Sequence, residues 1–179
     1  MNGEGSSVNL ISRSVARDQS YQMVRSNING NAPCSGHSEC DAIIMDGASV
    51  GAADKLGMTP LSYASNHNNI ALVTLLLGAG APIDVKDSKS LTPLLRAVIA
   101  NAVDTVTLLL KAGANSKATD VKGRNIFLAA AAYNAARVLS LLLSQFTCTS
   151  EQLSMLLYTA AEHTATDVLE LLLQRDGLE

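Results

Sequence analysis

The sequence predicts an all-α repeat solenoid, a stack of about four to five helix–turn–helix–hairpin units with atypical caps. Three observations predict it. Thr59-Pro60-Leu61 returns as Thr92-Pro93-Leu94, 33 residues later. A leucine triplet recurs at Leu75-Leu76-Leu77, Leu108-Leu109-Leu110, Leu141-Leu142-Leu143 and Leu171-Leu172-Leu173. Ala64, Ala97, Ala130 and Ala160 each stand eleven residues before a triplet. Four copies of one distance mark a repeated structural unit.

The elements of one unit follow from its residues. Thr59 suits the N-cap of a short first helix, and Pro60 its first position. Leu61 and Ala64 begin that helix. Asn68 and Asn69 interrupt it, because asparagine tolerates the left-handed conformation that ends a helix. Asn101 and Asn134 are the equivalents. A second helix carries Ile70, Leu72, Val73 and the first triplet, and Gly80 stops it. Residues 81–91 return as an extended, turn-rich segment. One such pair cannot bury its own apolar surface, so it must stack on neighbours.

The ends are expected to deviate. Asn125-Ile126-Phe127 replaces Thr-Pro-Leu in the third copy, and the fourth is three residues short. Phe146 stands where Gly80 and Gly113 stand, so the finger before the last unit is expected to be lost. Thr149 and Gln152 offer a capping box, and Leu153, Leu156 and Leu157 start the last helix pair. At the other end, Ile43-Ile44-Met45 aligns with a second-helix terminus, and Leu10, Ile11, Val15, Met23 and Val24 outline a degenerate pair. The predicted divisions are a disordered tail 1–7, an N-terminal capping unit 8–53 with a loop insertion 27–41, repeats 54–86, 87–119 and 120–149, and a C-terminal capping unit 150–179.

Thr59-Pro60-Leu61-Ser62-Tyr63-Ala64 and Thr92-Pro93-Leu94-Leu95-Arg96-Ala97 carry a resemblance. With the 33-residue period they resemble the ankyrin-repeat family, whose signature is T-P-L-H-x-A. The resemblance covers roughly residues 42–174 and is strongest over 54–120. The signature histidine is missing from both copies. That removes a side-chain hydrogen bond that the family often uses between neighbouring loops, and leaves the helix-pair core untouched. The resemblance implies an ankyrin-type stack that binds a protein partner in its concave groove.

Composition excludes several classes. Thirteen Lys and Arg against sixteen Asp and Glu give a net charge of −3, so nucleic acid is not expected as the main partner. Hydrophobic residues are 47% but aromatics only 3%, so Ala, Leu, Val and Ile must fill the core between slim helices. No uninterrupted apolar run of about 18 residues exists, so no membrane span is expected. The opening MNGEGSSVNL lacks an apolar h-region, so no secretory signal is expected. Three cysteines then suggest free thiols in a reducing compartment, the cytoplasm or the nucleus. No phosphate-binding glycine loop, nucleophile elbow or zinc-protease helix occurs, so neither an enzyme nor a cofactor is expected.

Candidate binding residues fall into two rows. In register, the hairpin tips hold Lys55, Leu56 and Met58; Ser88, Lys89 and Leu91; Val121, Lys122 and Arg124. Each tip mixes a base with an apolar residue, which suits an acidic, partly hydrophobic partner segment. By the resemblance, Asn66, His67, Ile99 and Tyr133 line the concave groove, with Ala100, Ala132, Glu162 and His163 at the same repeat positions. Glu162 and His163 have the chemistry of an acid–base pair; the plainer reading is a solvated ridge. Arg96 either covers the neighbouring repeat with its stem or faces the groove as an anion-recognising group. Cys148 has no base beside it in sequence and is expected to be inert.

The only metal-like cluster is Cys34, His37 and Cys40, whose two-residue gaps let a turn converge them on zinc. A flexible polar loop with two free thiols is the plainer reading, and a Cys34–Cys40 disulfide a third. These residues support an alternative function, in which the N-terminal segment closes a small-molecule or catalytic pocket against Tyr63, His67, Arg96 or Tyr133. A homodimer through the groove or an exposed end is the remaining alternative.

Overall fold

The computed structural model describes residues 50–175. Among them are eight helices and no strand: α1 Pro60–Asn66, α2 Ile70–Gly78, α3 Pro93–Ile99, α4 Val103–Lys111, α5 Ile126–Ala132, α6 Ala136–Gln145, α7 Ser150–Glu162 and α8 Thr166–Arg175. They pair as α1–α2, α3–α4, α5–α6 and α7–α8. The first helices pack in one layer, α1 on α3, α3 on α5, α5 on α7. The second helices pack in the other, α2 on α4, α4 on α6, α6 on α8. This is an all-helical solenoid. The tail 1–7, the insertion 27–41 and nearly all of the N-terminal unit lie outside the described residues.

Local chemistry sets the starts of the first helices and the turns inside each pair. Thr59 Oγ1 accepts from the Ser62 N–H at 3.2 Å, and Thr92 Oγ1 from Leu95 at 3.3 Å. Asn125 does the same for α5, accepting from Phe127 and Leu128. Thr149 and Gln152 cap α7 reciprocally as a capping box. The turn inside each pair passes through a left-handed residue: Asn68, Asn101 and Asn134 at φ +52, +54 and +54°, and Thr164 at +53°. The first three are the residue type that tolerates this conformation best after glycine.

The turn asparagines also reach across the stack. Asn101 Oδ1 accepts from the Val138 N–H of α6 at 3.1 Å, and Asn134 Oδ1 from the Val168 N–H of α8 at 3.2 Å. Asn68 Oδ1 accepts from Thr105 Oγ1 of α4 at 2.8 Å. Ala102 and Ala135, the N-caps of α4 and α6, make no side-chain cap bond themselves. Each repeat therefore supplies a polar contact at the start of the next second helix. Among the second helices α2 alone is described with a side-chain bond from its own N-cap, Asn69 accepting from Leu72.

The core lies between the two layers. Ala64, Ala97, Ala130 and Ala160 are all fully buried. Their small side chains let neighbouring first helices approach closely. The middle leucine of each triplet, Leu76, Leu109, Leu142 and Leu172, is buried. The flanking leucines are mostly half-buried, because a helix turns 100° per residue and only one of three consecutive positions faces the core squarely. Phe127 and Phe146 meet edge to face at 5.9 Å. The connector from α6 to α7 is only residues 146–149, and α7 is correspondingly long.

Candidate functional site

Three hairpin fingers project beside the helix layers, at residues 54–59, 87–92 and 120–125. An aspartate organises each one. Asp54 Oδ1 accepts from the Leu56 and Met58 N–H groups at 2.9 and 2.8 Å. Asp87 Oδ1 accepts from Lys89 and Leu91 at 2.7 and 2.9 Å. Asp120 Oδ1 accepts from Lys122 and Arg124, both at 2.9 Å. The second oxygen is also occupied. Tyr63 OH donates to Asp54 at 2.9 Å, Arg96 clamps Asp87 through Nε and Nη2, and Arg124 Nε donates to Asp120 at 2.8 Å. The tip carboxylates are thus consumed inside the fingers, and Asp87 and Asp120 are buried.

Electrostatics follow from this geometry. Burial by itself raises the Asp120 carboxyl. Hydrogen bonds from the Arg124 backbone and guanidinium and from the Lys122 N–H, with the Arg124 charge, outweigh it and hold the group below the usual carboxylate value. Burial likewise opposes the Arg124 charge, and its bonds to Asp120 and Tyr133 raise it above the ordinary guanidinium value. Arg124 stands 5.0 Å from the Tyr133 ring centroid in a cation–π contact and donates to its hydroxyl at 3.3 Å.

Backbone bonds join the fingers into a row. The Ser88 N–H donates to the Leu56 carbonyl at 2.9 Å, and the Val121 N–H to the Lys89 carbonyl at 3.3 Å. The left-handed tip positions are Gly57, Ser90 and Gly123. At Gly57 a Cβ would also come within 3.1 Å of Asp87 Cα on the next finger, so glycine there permits the close approach.

The predicted tip residues separate into two groups. Lys55, Lys89 and Lys122 are exposed, as are Ser88, Leu56 at 57% and Val121 at 67%. Met58 and Leu91 are buried, which corrects their placement on the outer surface. The left-handed residue before each of them turns the chain inward, so the position after the tip packs on the helices. Arg124 occupies the same place and folds back onto Asp120 rather than standing free. Arg96, on α3, does not face the groove as a free anion-recognising group, because Asp87 of the preceding finger engages its guanidinium.

The groove positions line up at the ends of the first helices. His67, Ala100, Tyr133 and His163 are exposed, Asn66 and Ile99 are half-buried, and Ala132 is buried. His67 and His163 share one geometry, with Nδ1 donating to the Tyr63 carbonyl at 3.0 Å and to the Thr159 carbonyl at 3.1 Å. The acid–base pairing considered for Glu162 and His163 gains no contact between the two side chains among the described hydrogen bonds. Cys148 is half-buried with a free thiol.

Cys34, His37 and Cys40 lie outside the described residues, and so does the wall of the alternative pocket. Among the described residues no three His, Cys, Asp or Glu side chains gather as metal ligands. No helix among them is long and apolar enough to cross a membrane. Sequence reasoning overlooked the finger aspartates. Their signal was present, since Asp54, Asp87 and Asp120 share the 33-residue period and stand five residues before each first-helix N-cap.

No curated protein matches the chain. A family model of ankyrin repeats in three copies matches residues 21–120, more than half of the 179 residues. On that match the chain belongs to the ankyrin-repeat family.

Proposed function

We propose that the protein is a non-catalytic binding module that holds a protein partner along its fingertips and groove. Ankyrin repeats are generally protein-interaction modules, which supports this reading. The observation that carries it is the row of bonded fingers. Backbone bonds fix each tip against the next, and internal carboxylates fix each tip's shape. A surface already ordered loses little conformational entropy when a partner docks. Lys55, Leu56, Lys89 and Lys122 on the fingers, with Asn66, His67, Ile99 and Tyr133 in the groove, are its contact residues. Met58, Leu91 and Arg124 support those residues from beneath. The expected setting is a reducing compartment, the cytoplasm or the nucleus.

Site-specific photo-crosslinking in cells tests the reading. A crosslinker replaces Leu56, Tyr133 or, as the control, exposed Ser140 on α6. One defined protein adduct from positions 56 and 133, absent from 140, is the expected result. Equal adducts from all three positions overturn it.

A further inference from the structure

We infer that the fingertip row binds an extended acidic segment of a partner protein, with a carboxylate about every third residue. This rests on the fingertip reading above and specifies its ligand. Charge is the first ground. Lys55, Lys89 and Lys122 are exposed, and no carboxylate pairs with any of them among the described residues. The acids on the same fingers, Asp54, Asp87 and Asp120, already accept bonds on both oxygens. Arg96 and Arg124 balance Asp87 and Asp120, so Lys89 and Lys122 are the excess positive charge of the second and third fingers, while Lys55 stands beside Asp54, whose partners are neutral, although the chain as a whole carries −3.

Spacing is the second ground. The Val121 N–H donates to the Lys89 carbonyl. Residues bonded across strands lie about 5 Å apart at Cα, and one more residue adds about 4 Å. Lys89 and Lys122 are thus within about 9 Å of each other at Cα by this path. Lys55 is one residue further from the Leu56–Ser88 bond, so its distance to Lys89 is at most about 13 Å by the same steps. An extended chain rises about 3.3 Å per residue and covers these intervals in at most about three and four residues. Leu56 and Val121 stand exposed between the lysines and meet aliphatic side chains of the same segment.

The test uses the full chain and synthetic nine-residue peptides. One carries Glu at positions 1, 4 and 8 with Leu and Val between. A second has the same composition with the three Glu together at one end. A third places Lys at the Glu positions, and a single-stranded oligonucleotide of equal length is the competing anion. The spaced acidic peptide is expected to bind most tightly. Three exposed ion pairs are small singly, and their combined reversal in Lys55→Glu/Lys89→Glu/Lys122→Glu lowers affinity about tenfold or more. Salt at about 0.5 M lowers it similarly. The three ammonium groups make no hydrogen bond among those described, so Lys55→Gln/Lys89→Gln/Lys122→Gln, which adds no charge beside the finger aspartates, keeps the wild-type melting midpoint and loses affinity in the same direction. Equal affinity for the clustered peptide, tighter binding of the oligonucleotide, or no response to charge reversal overturns the inference. The crosslinking result at positions 56 and 133 stands or falls separately, because it detects any partner whatever its charge.

Discussion

The interior of the stack and its C-terminal unit share one period but meet different surroundings. Positions 95, 128 and 158 occupy the same place in α3, α5 and α7. Leu95 is fully buried, Leu128 is half-buried, and Tyr158 is 73% exposed. The last leucine of the triplet behaves alike, with Leu143 buried and Leu173 51% exposed. The third finger has no successor either, since four residues lead straight from α6 into a lengthened α7. A repeat position therefore specifies where a side chain points, and the neighbouring repeat decides whether it is buried. Among the described residues the α7–α8 unit has a neighbour on one side only, and its other face carries Glu151, Ser154 and Glu162 around Met155 and Tyr158.

The largest expected effect separates these two regions directly. Leu95→Ala should cost about 3 kcal/mol, as buried leucine truncations do. Tyr158→Ala should stay within about 0.5 kcal/mol, as for an exposed residue. Urea denaturation measures both. A large loss at Tyr158 that grows with protein concentration would mean that a second copy covers this face.

A smaller effect concerns the bonds between repeats. Asn101 both holds a left-handed turn and caps α6 of the following unit. Asn101→Ala should cost about 2 kcal/mol, by combining left-handed strain with the loss of a cap. Asn101→Gly relieves the strain and loses only the cap, so about 1 kcal/mol should remain. If the glycine variant is as stable as wild type in the same urea titration, the cap across repeats contributes nothing.

Ser65 sharpens the comparison between repeats with opposite sign. Its hydroxyl is buried without a hydrogen-bond partner, where Val98 and Ala131 stand in the following units. Ser65→Ala should therefore raise stability by about 1 kcal/mol, since it removes a desolvated polar atom. A fall in the thermal midpoint would contradict this.

The smallest effect is a pH dependence of the third finger. The folded Asp120 carboxyl lies below its unfolded value, so the folded state holds its proton less readily. The resulting stability is fully present above the unfolded value of about 3.9 and is lost as pH falls through the folded one. The stability difference between wild type and Asp120→Asn should be larger at pH 7 than at pH 3. An equal difference at both would assign the effect to shape rather than charge.

Most of the architecture was legible because the first helices and the turns have their own local chemistry. Thr59, Thr92 and Thr149 cap by side-chain geometry that depends on three or four neighbouring residues alone. The Ala64 period encodes the close contact of first helices in the same way. The exposed tips Lys55, Leu56, Lys89 and Lys122 were legible from register. Met58 and Leu91 were misplaced because one left-handed residue reverses the outward direction at each tip. Arg96 could not be assigned from sequence, because its partner Asp87 lies nine residues away in another element.

The sequence by itself determined the helix pairs, their turns and their stacking period, since caps, prolines and apolar spacing act within a few residues. Only the tertiary structure decided which polar groups remain available. Asp54, Asp87 and Asp120 are spent inside the fingers, and Asn101 and Asn134 are spent on the next repeat. The lysines between them are left outward. Desolvation and hydrogen bonding across elements depend on neighbours brought close by folding, and no local pattern states who those neighbours are.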